Sequence, residues 1–248
     1  MSSSNFGCLL FFNAATLVAA QGVLAITGAV FVYRERKLAI LEPRQLQAEL
    51  VWSGERSARC TLLMIGDSHV ARWRADPPPG WRIARLGFSG ESAVNIARFN
   101  PATTSEFIPD ALLIAAGSND ASAAALLGGE RVATLDRAAD AVDHMILTAR
   151  AAGVKQIVVM TLVLPRSPKP WSDLVYGRHQ EEMLSALSTR IEGQARARGA
   201  VVLDSDALAR NAQGRFRPEL RADALHWSAA GYDVLAAALW DRLEGECP

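Results

Sequence analysis

Several features that would place the chain in a large class are missing or scarce. Only three cysteines occur, Cys8, Cys60 and Cys247, and their spacing fits neither a disulfide scaffold nor a metal-binding motif. Cys60 and Cys247 can pair in an oxidising compartment, or stand as two unrelated thiols. Neither sign of charge is in surplus, since Lys plus Arg and Asp plus Glu both number 26. Without a global basic field to hold a phosphate backbone, nucleic acid is not an expected partner. No G-x-G-x-x-G fingerprint follows any apolar run, so the usual mark of a dinucleotide site is absent. Internal repeats and low-complexity tracts are also absent, apart from an alanine-rich loop near 121–125. What the chain does have is apolar content: half of its residues are hydrophobic and 21% are charged. That balance excludes intrinsic disorder, and 248 residues suffice to bury a core.

The longest apolar run comes first. Phe6 to Tyr33 is 28 residues without a charge, and a helix of that length extends about 42 Å against a hydrocarbon core of about 30 Å. Asn13, Thr16 and Gln21 dilute its apolarity at less cost than charges would. The segment is expected to be a membrane helix, with a buried or peripheral helix as the alternative. No Lys or Arg precedes it and it exceeds a usual signal h-region, so it is expected to be retained as an anchor. Arg34, Arg36 and Lys37 follow directly, and the positive-inside bias puts that side in the cytoplasm. Three parts are therefore expected: an anchor helix over 1–33, a juxtamembrane connector over 34–59 broken by Pro43, and a folded domain over 60–248.

From residue 60 short apolar runs alternate with helical patterns. Strands are predicted over 61–65, 82–86, 111–115, 156–162 and 201–203, and helices over 91–99, 135–151, 179–198 and 228–243. Runs such as LLMI, ALLIAA and IVVMTLVL are continuously apolar, as strands covered on both faces are. The pattern predicts an α/β fold, a three-layer α/β/α sandwich around a five-stranded parallel sheet. Ligands of such sheets bind outside the carboxyl ends of the strands, so the chemistry is expected there.

Four short segments sit where that rule points. In the first, Gly66, Asp67 and Ser68 turn from a strand into a helix; the serine can present its hydroxyl and its N–H to a cavity, or the turn can be a plain N-cap. Gly90, in the LGFSGES turn, can aim its amide at the same place, although a lone glycine turn is weak evidence. Asn119, in AAGSND, can donate from its side-chain amide, while Asp120 braces the loop; a generic Asx turn is the alternative. Asp223 and His226 are three apart before the last helix, a spacing that lets a carboxylate accept from one imidazole nitrogen and leaves the other as a base. Taken alone, the pair also fits a surface turn or one or two metal ligands. His144 and His179 fit ordinary helix-surface positions.

Together, GDSH (66–69), the Gly90 turn, GSND (117–120) and DALH (223–226) resemble the SGNH or GDSL-type serine hydrolase family over roughly residues 60–243. The resemblance implies a flavodoxin-like strand order and hydrolysis of esters through an acyl-serine intermediate, with no cofactor and no metal. It makes Ser68 the nucleophile, His226 the general base and Asp223 its orienter, with Ser68, Gly90 and Asn119 forming an oxyanion hole. Two departures stand out: His69 replaces the leucine of the GDSL string, and Gly90 sits in an unusual GFSGES setting. Many such enzymes work outside the cell, which pulls against the charge bias, so the side of the membrane stays open. His69, Arg72, Trp171 and Tyr176 are candidate substrate-lining residues, the last two in a proline-containing stretch over 164–180 that reads as a flap or a solvated loop. The expected substrate is a small-molecule, lipid or glycan ester, with the membrane as a partner through the N-terminal helix. Two other classes compete: a non-catalytic, membrane-anchored domain binding glycans or partners on a hydrolase scaffold, and a metal-dependent phosphoesterase using Asp67, Asn119, Asp223 and His226.

Overall fold

The computed structural model describes residues 3–46, 50–99, 108–162, 175–176, 179–223 and 225–243, with side chains from residue 18 onward. A helix, α1 (Ser3–Ala39), leads into strand β1 (Val51–Gly54). There follow β2 (Cys60–Gly66), a one-turn α2 (Ser68–Ala71), β3 (Trp81–Gly87), α3 (Ala93–Arg98), β4 (Ala111–Ala115), α4 (Ser118–Ala124) and α5 (Arg131–Ala151). The chain continues through β5 (Gln156–Met160), α6 (His179–Ala197), β6 (Val201–Leu203), α7 (Ser205–Leu208), a 3-10 turn (Pro218–Leu220) and α8 (Ala229–Trp240).

The strands form one sheet in the order β1-β3-β2-β4-β5-β6. β2 to β6 run parallel to their neighbours, while β1 pairs antiparallel with β3, Val51 opposite Arg85 and Gly54 opposite Arg82. The expectation of a five-stranded, wholly parallel sheet is therefore corrected to a six-stranded mixed one. The added strand lies in the stretch taken as a connector. It escaped notice because VWSG has only four residues on an exposed edge and lacks the continuous apolar run of a covered strand.

Side-chain alternation along the strands divides the core in two. Leu63, Ile65, Leu112, Ile114, Ile157 and Val159 face the layer built by α3, α5 and α6. Leu62, Met64, Ile83, Leu113, Val158 and Met160 face the layer built by α2 and α8, where Trp73, Trp227, Tyr232 and Leu239 are buried. The alanine-rich stretch near 121–125, expected to be a loop, is mostly helix α4 and is buried throughout. Alanine has the highest helix propensity and its small side chain lets α4 pack tightly on α6. Cys60 is buried and disulfide-bonded.

Among the described residues no helix is long and apolar enough to cross a membrane. This overturns the anchor, and with it the single-pass location and the membrane as a partner. The last part of α1 instead turns side chains to the folded domain: Val30, Tyr33 and Leu38 pack on the core, and Arg34 donates to the Leu126 carbonyl at 3.4 Å. The basic residues that suggested membrane orientation thus include ones held by the domain.

β2 lies at the centre of the reversal in strand order: the chain passes to β3 on one side and returns across β2 to β4 on the other. At such a switch point the loops after neighbouring strands diverge and leave a crevice. The Asp67 N–H bonds to the Ala115 carbonyl at 3.0 Å and the Phe88 N–H to the Gly66 carbonyl at 2.8 Å, extending the pairing just past the strand ends.

Candidate active site

The turn after β2 is made by close backbone approach. A Cβ on Gly66 would sit 2.1 Å from the Ala115 carbonyl oxygen, so no larger residue fits between β2 and β4 there. Asp67 then caps α2, its Oδ1 accepting from the His69 N–H at 3.0 Å, and its Oδ2 accepts from the Ser118 hydroxyl. Because Asp67 serves as the cap, the Ser68 hydroxyl is left for another partner.

That partner is His226. Its Nε2 lies 3.0 Å from Ser68 Oγ, and its Nδ1 lies 2.8 and 2.9 Å from the two carboxylate oxygens of Asp223. Asp223 Oδ1 also accepts the N–H groups of Leu225 at 2.8 Å and His226 at 2.9 Å. Burial pushes this carboxyl up, but the Leu225 N–H, the His226 ring and the His226 N–H outweigh it and bring its pKa down to about 2. Asp223 is therefore an anion at neutral pH. An anion there fixes the imidazole tautomer with the proton on Nδ1 and the lone pair of Nε2 toward the serine.

In the loop after β3, Gly90 adopts φ +83°, a left-handed conformation that suits glycine. Asn119 lies in the first turn of α4 and is almost fully buried. Its Nδ2 donates to the Glu91 carbonyl at 3.1 Å, tying the β4 loop to the turn that carries Gly90. Asp120 is the brace expected of it: its carboxylate accepts from the Ala93 N–H at 2.8 Å. Burial raises the Asp120 pKa to about 7.

The sequence profile of the GDSL-like lipase/acylhydrolase family matches residues 64–234, more than half of the chain. The chain belongs to that family. It is a serine hydrolase of the GDSL/SGNH type, acting on carboxylic esters. Solved structures share its fold at low identity. A GDSL-like lipase from Bacteroides thetaiotaomicron is 19% identical with a TM-score of 0.59, over 78% of this chain and 91% of that one. An acetylxylan esterase from Geobacillus stearothermophilus is 20% identical with a TM-score of 0.58, over 78% and 96%. An α/β hydrolase from the metagenome of Lake Arreo, Spain, is 17% identical with a TM-score of 0.58, over 75% and 95%. No curated protein sequence matches the chain.

Within this GDSL-type framework the other candidate residues are placed unevenly. His69 is buried beside His226, ring centroids 5.7 Å apart, and its Nδ1 makes no hydrogen bond among the described residues. Burial lowers its pKa, which keeps it neutral. Arg72 is half-exposed, with Nη1 3.4 Å from Asp223 Oδ2. Such an exposed pair is worth little energetically, but it sets a guanidinium at the rim of the triad. Tyr176 is buried; its hydroxyl bonds to that of Tyr33, and their rings meet edge-on at 5.9 Å. Trp171 lies outside the described residues. His144 and His179 are exposed on α5 and α6.

Two contributors escaped the sequence reading. Asn95 on α3 donates to the carbonyls of Ile40 at 3.1 Å and Glu42 at 3.0 Å, stitching the end of α1 to the Gly90 side. Lys37 sends Nζ to Asn119 Oδ1 at 3.1 Å. Burial lowers the Lys37 pKa, and the Asp67 carboxylate opposes that shift. Its sequence signal was read as membrane-flanking charge, and no spacing rule connects residue 37 to residue 119.

Proposed function

We propose that the protein hydrolyses acyl esters through an acyl enzyme on Ser68, with His226 as general base, Asp223 as its orienter, and Ser68 N–H, Gly90 N–H and Asn119 Nδ2 as oxyanion donors. The observation that carries this reading is the unbroken chain from Ser68 Oγ to His226 Nε2 at 3.0 Å and from His226 Nδ1 to Asp223 at 2.8 Å. As Oγ bonds to the ester carbonyl carbon, its proton passes to Nε2, and the imidazolium is stabilised by the Asp223 anion. Charge develops on the former carbonyl oxygen, where fixed donors in a water-poor site act most strongly. The C–O bond to the alcohol then breaks and Nε2–H protonates the leaving oxygen. Water, deprotonated by the same nitrogen, attacks the acyl-Ser68 carbonyl and releases the acid.

The exposed rim at Arg72 and Asp223 offers hydrogen bonds to the alcohol portion of a polar substrate, such as a glycan ester. The similarity to an acetylxylan esterase supports including short acyl groups among the candidates. The test is labelling by a fluorophosphonate, wild type against Ser68→Ala, followed by turnover on acetyl and longer acyl esters of simple alcohols, sugars and glycerol. Wild type is expected to label and turn over, and S68A to do neither while keeping its thermal transition. An S68A protein that still hydrolyses esters at the wild-type rate overturns the assignment.

A further inference from the structure

We propose that Lys37, from the end of the N-terminal helix, is a positioning residue of the oxyanion hole, acting through the side-chain amide of Asn119. The inference rests on the reading of Asn119 as an oxyanion donor. A buried asparagine amide can be placed either way round unless its neighbours discriminate. Here they do: Oδ1 receives the Lys37 ammonium at 3.1 Å and Nδ2 meets the Glu91 carbonyl at 3.1 Å. Reversing the amide would set N–H groups against an ammonium and oxygen against a carbonyl. The observed orientation uses one of the two Nδ2 protons on Glu91 and leaves the second for the substrate oxygen. A cation on Oδ1 also draws electron density from the amide, which strengthens the remaining N–H as a donor.

The electrostatic surroundings give the ammonium a second role. Asp67 and Asp120 are buried in this part of the molecule, and Glu91 follows Gly90 in the chain. Negative charge forming on a substrate near these carboxyl groups is disfavoured unless a cation stands close by. Lys37 supplies one, and it is held in place rather than left to wander. Tyr33, one turn earlier, bonds to Tyr176; the chain just beyond is fastened by Asn95 to the Ile40 and Glu42 carbonyls and by the Arg44–Glu91 ion pair at 3.2 Å. The end of α1 is thus part of the catalytic apparatus, although it lies before the segment matched by the family profile.

The experiment is a double-mutant cycle of Lys37→Met and Asn119→Ala in the full chain, with kcat and KM measured separately on an ester that wild type turns over. N119A is expected to lose about 10²- to 10³-fold in kcat, and K37M, which misorients the donor without deleting it, about tenfold with KM within twofold. In the N119A background K37M should cost nothing more, and Lys37→Arg should recover most of the single-variant loss. An unchanged kcat in K37M, a loss confined to KM, or additive losses in the cycle each overturn the proposal. Should K37M not fold, Lys37→Gln takes its place in the cycle; if neither folds, Lys37 is a structural residue and the proposal fails. Full activity in N119A defeats instead the underlying oxyanion assignment, so the two failures are told apart.

Discussion

The two sides proposed for the site around Ser68, base and oxyanion, are built by different means. On the base side, Asp223, Leu225 and His226 fall within one short turn, and a single carboxylate gathers two backbone N–H groups and the imidazole. On the oxyanion side, the partners come from across the chain: Lys37 reaches residue 119, Asn95 reaches residues 40 and 42, and Asp120 reaches residue 93. The first side is a preformed local unit that needs only to be docked against Ser68. The second exists only when α1, α3 and α4 are all in place. Damage to the base side should therefore abolish chemistry without disturbing the fold, whereas damage to the oxyanion side should mix catalytic and conformational effects.

The sharpest contrast is expected from His226→Ala and Asp223→Asn. H226A removes the proton acceptor and should lower kcat by on the order of 10⁴-fold or more with the thermal transition nearly unchanged. D223N keeps an oxygen for the backbone N–H groups but favours the wrong imidazole tautomer, so a loss of similar order is expected. Circular dichroism melts beside steady-state rates decide the matter. A D223N enzyme at wild-type turnover would mean that the carboxylate merely shapes the turn.

A smaller effect should follow from Gly90→Ala. The added Cβ meets open space, so packing is not at issue. The change falls on the backbone, which an alanine holds at positive φ at a cost of about 1–2 kcal/mol. Relaxation of φ would swing the Gly90 N–H, and a fall in kcat of about 10- to 100-fold with a modest change in KM is expected. If G90A retained full kcat, the left-handed conformation would serve the turn alone.

The same division explains what could be read from the sequence. Asp-x-x-His is a local pattern whose geometry a turn dictates, and GDS follows a continuously apolar strand, so both are assigned to the sheet edge by sequence alone. Helices α5 and α6 were legible from their apolar periodicity, and their observed bounds differ from expectation by only a few residues. β1 was not legible because four exposed residues on an edge carry no burial pattern. The role of α1 was misread for a related reason. Its run of apolar residues is a local property that suits several environments, and what distinguishes them is the set of contacts made by Tyr33, Arg34 and Lys37 with residues 82 to 143 positions away. No periodicity encodes such contacts; they follow from tertiary docking.

The smallest predicted effect separates the two sides by their carboxyl groups. Asp223 has its pKa lowered to about 2, so its contribution to stability is present above the ordinary carboxyl range and is lost only as pH falls toward 2. Asp120 behaves in the opposite sense, with its pKa raised to about 7 by burial. In the unfolded chain Asp120 gives up its proton near pH 4, whereas the folded protein keeps it until about pH 7. Between those values the unfolded state binds fewer protons, so stability declines as pH rises through the window and levels off above it. Asp120→Asn, neutral throughout and still able to accept from the Ala93 N–H, should abolish that decline. The difference in Tm between D120N and wild type should therefore grow by on the order of 5 °C from pH 4.5 to pH 8, a range in which Asp223 stays ionised in both proteins. Melting curves that remain parallel across the range would show that Asp120 is already ionised in the fold, and the oxyanion side would then hold more negative charge for Lys37 to offset.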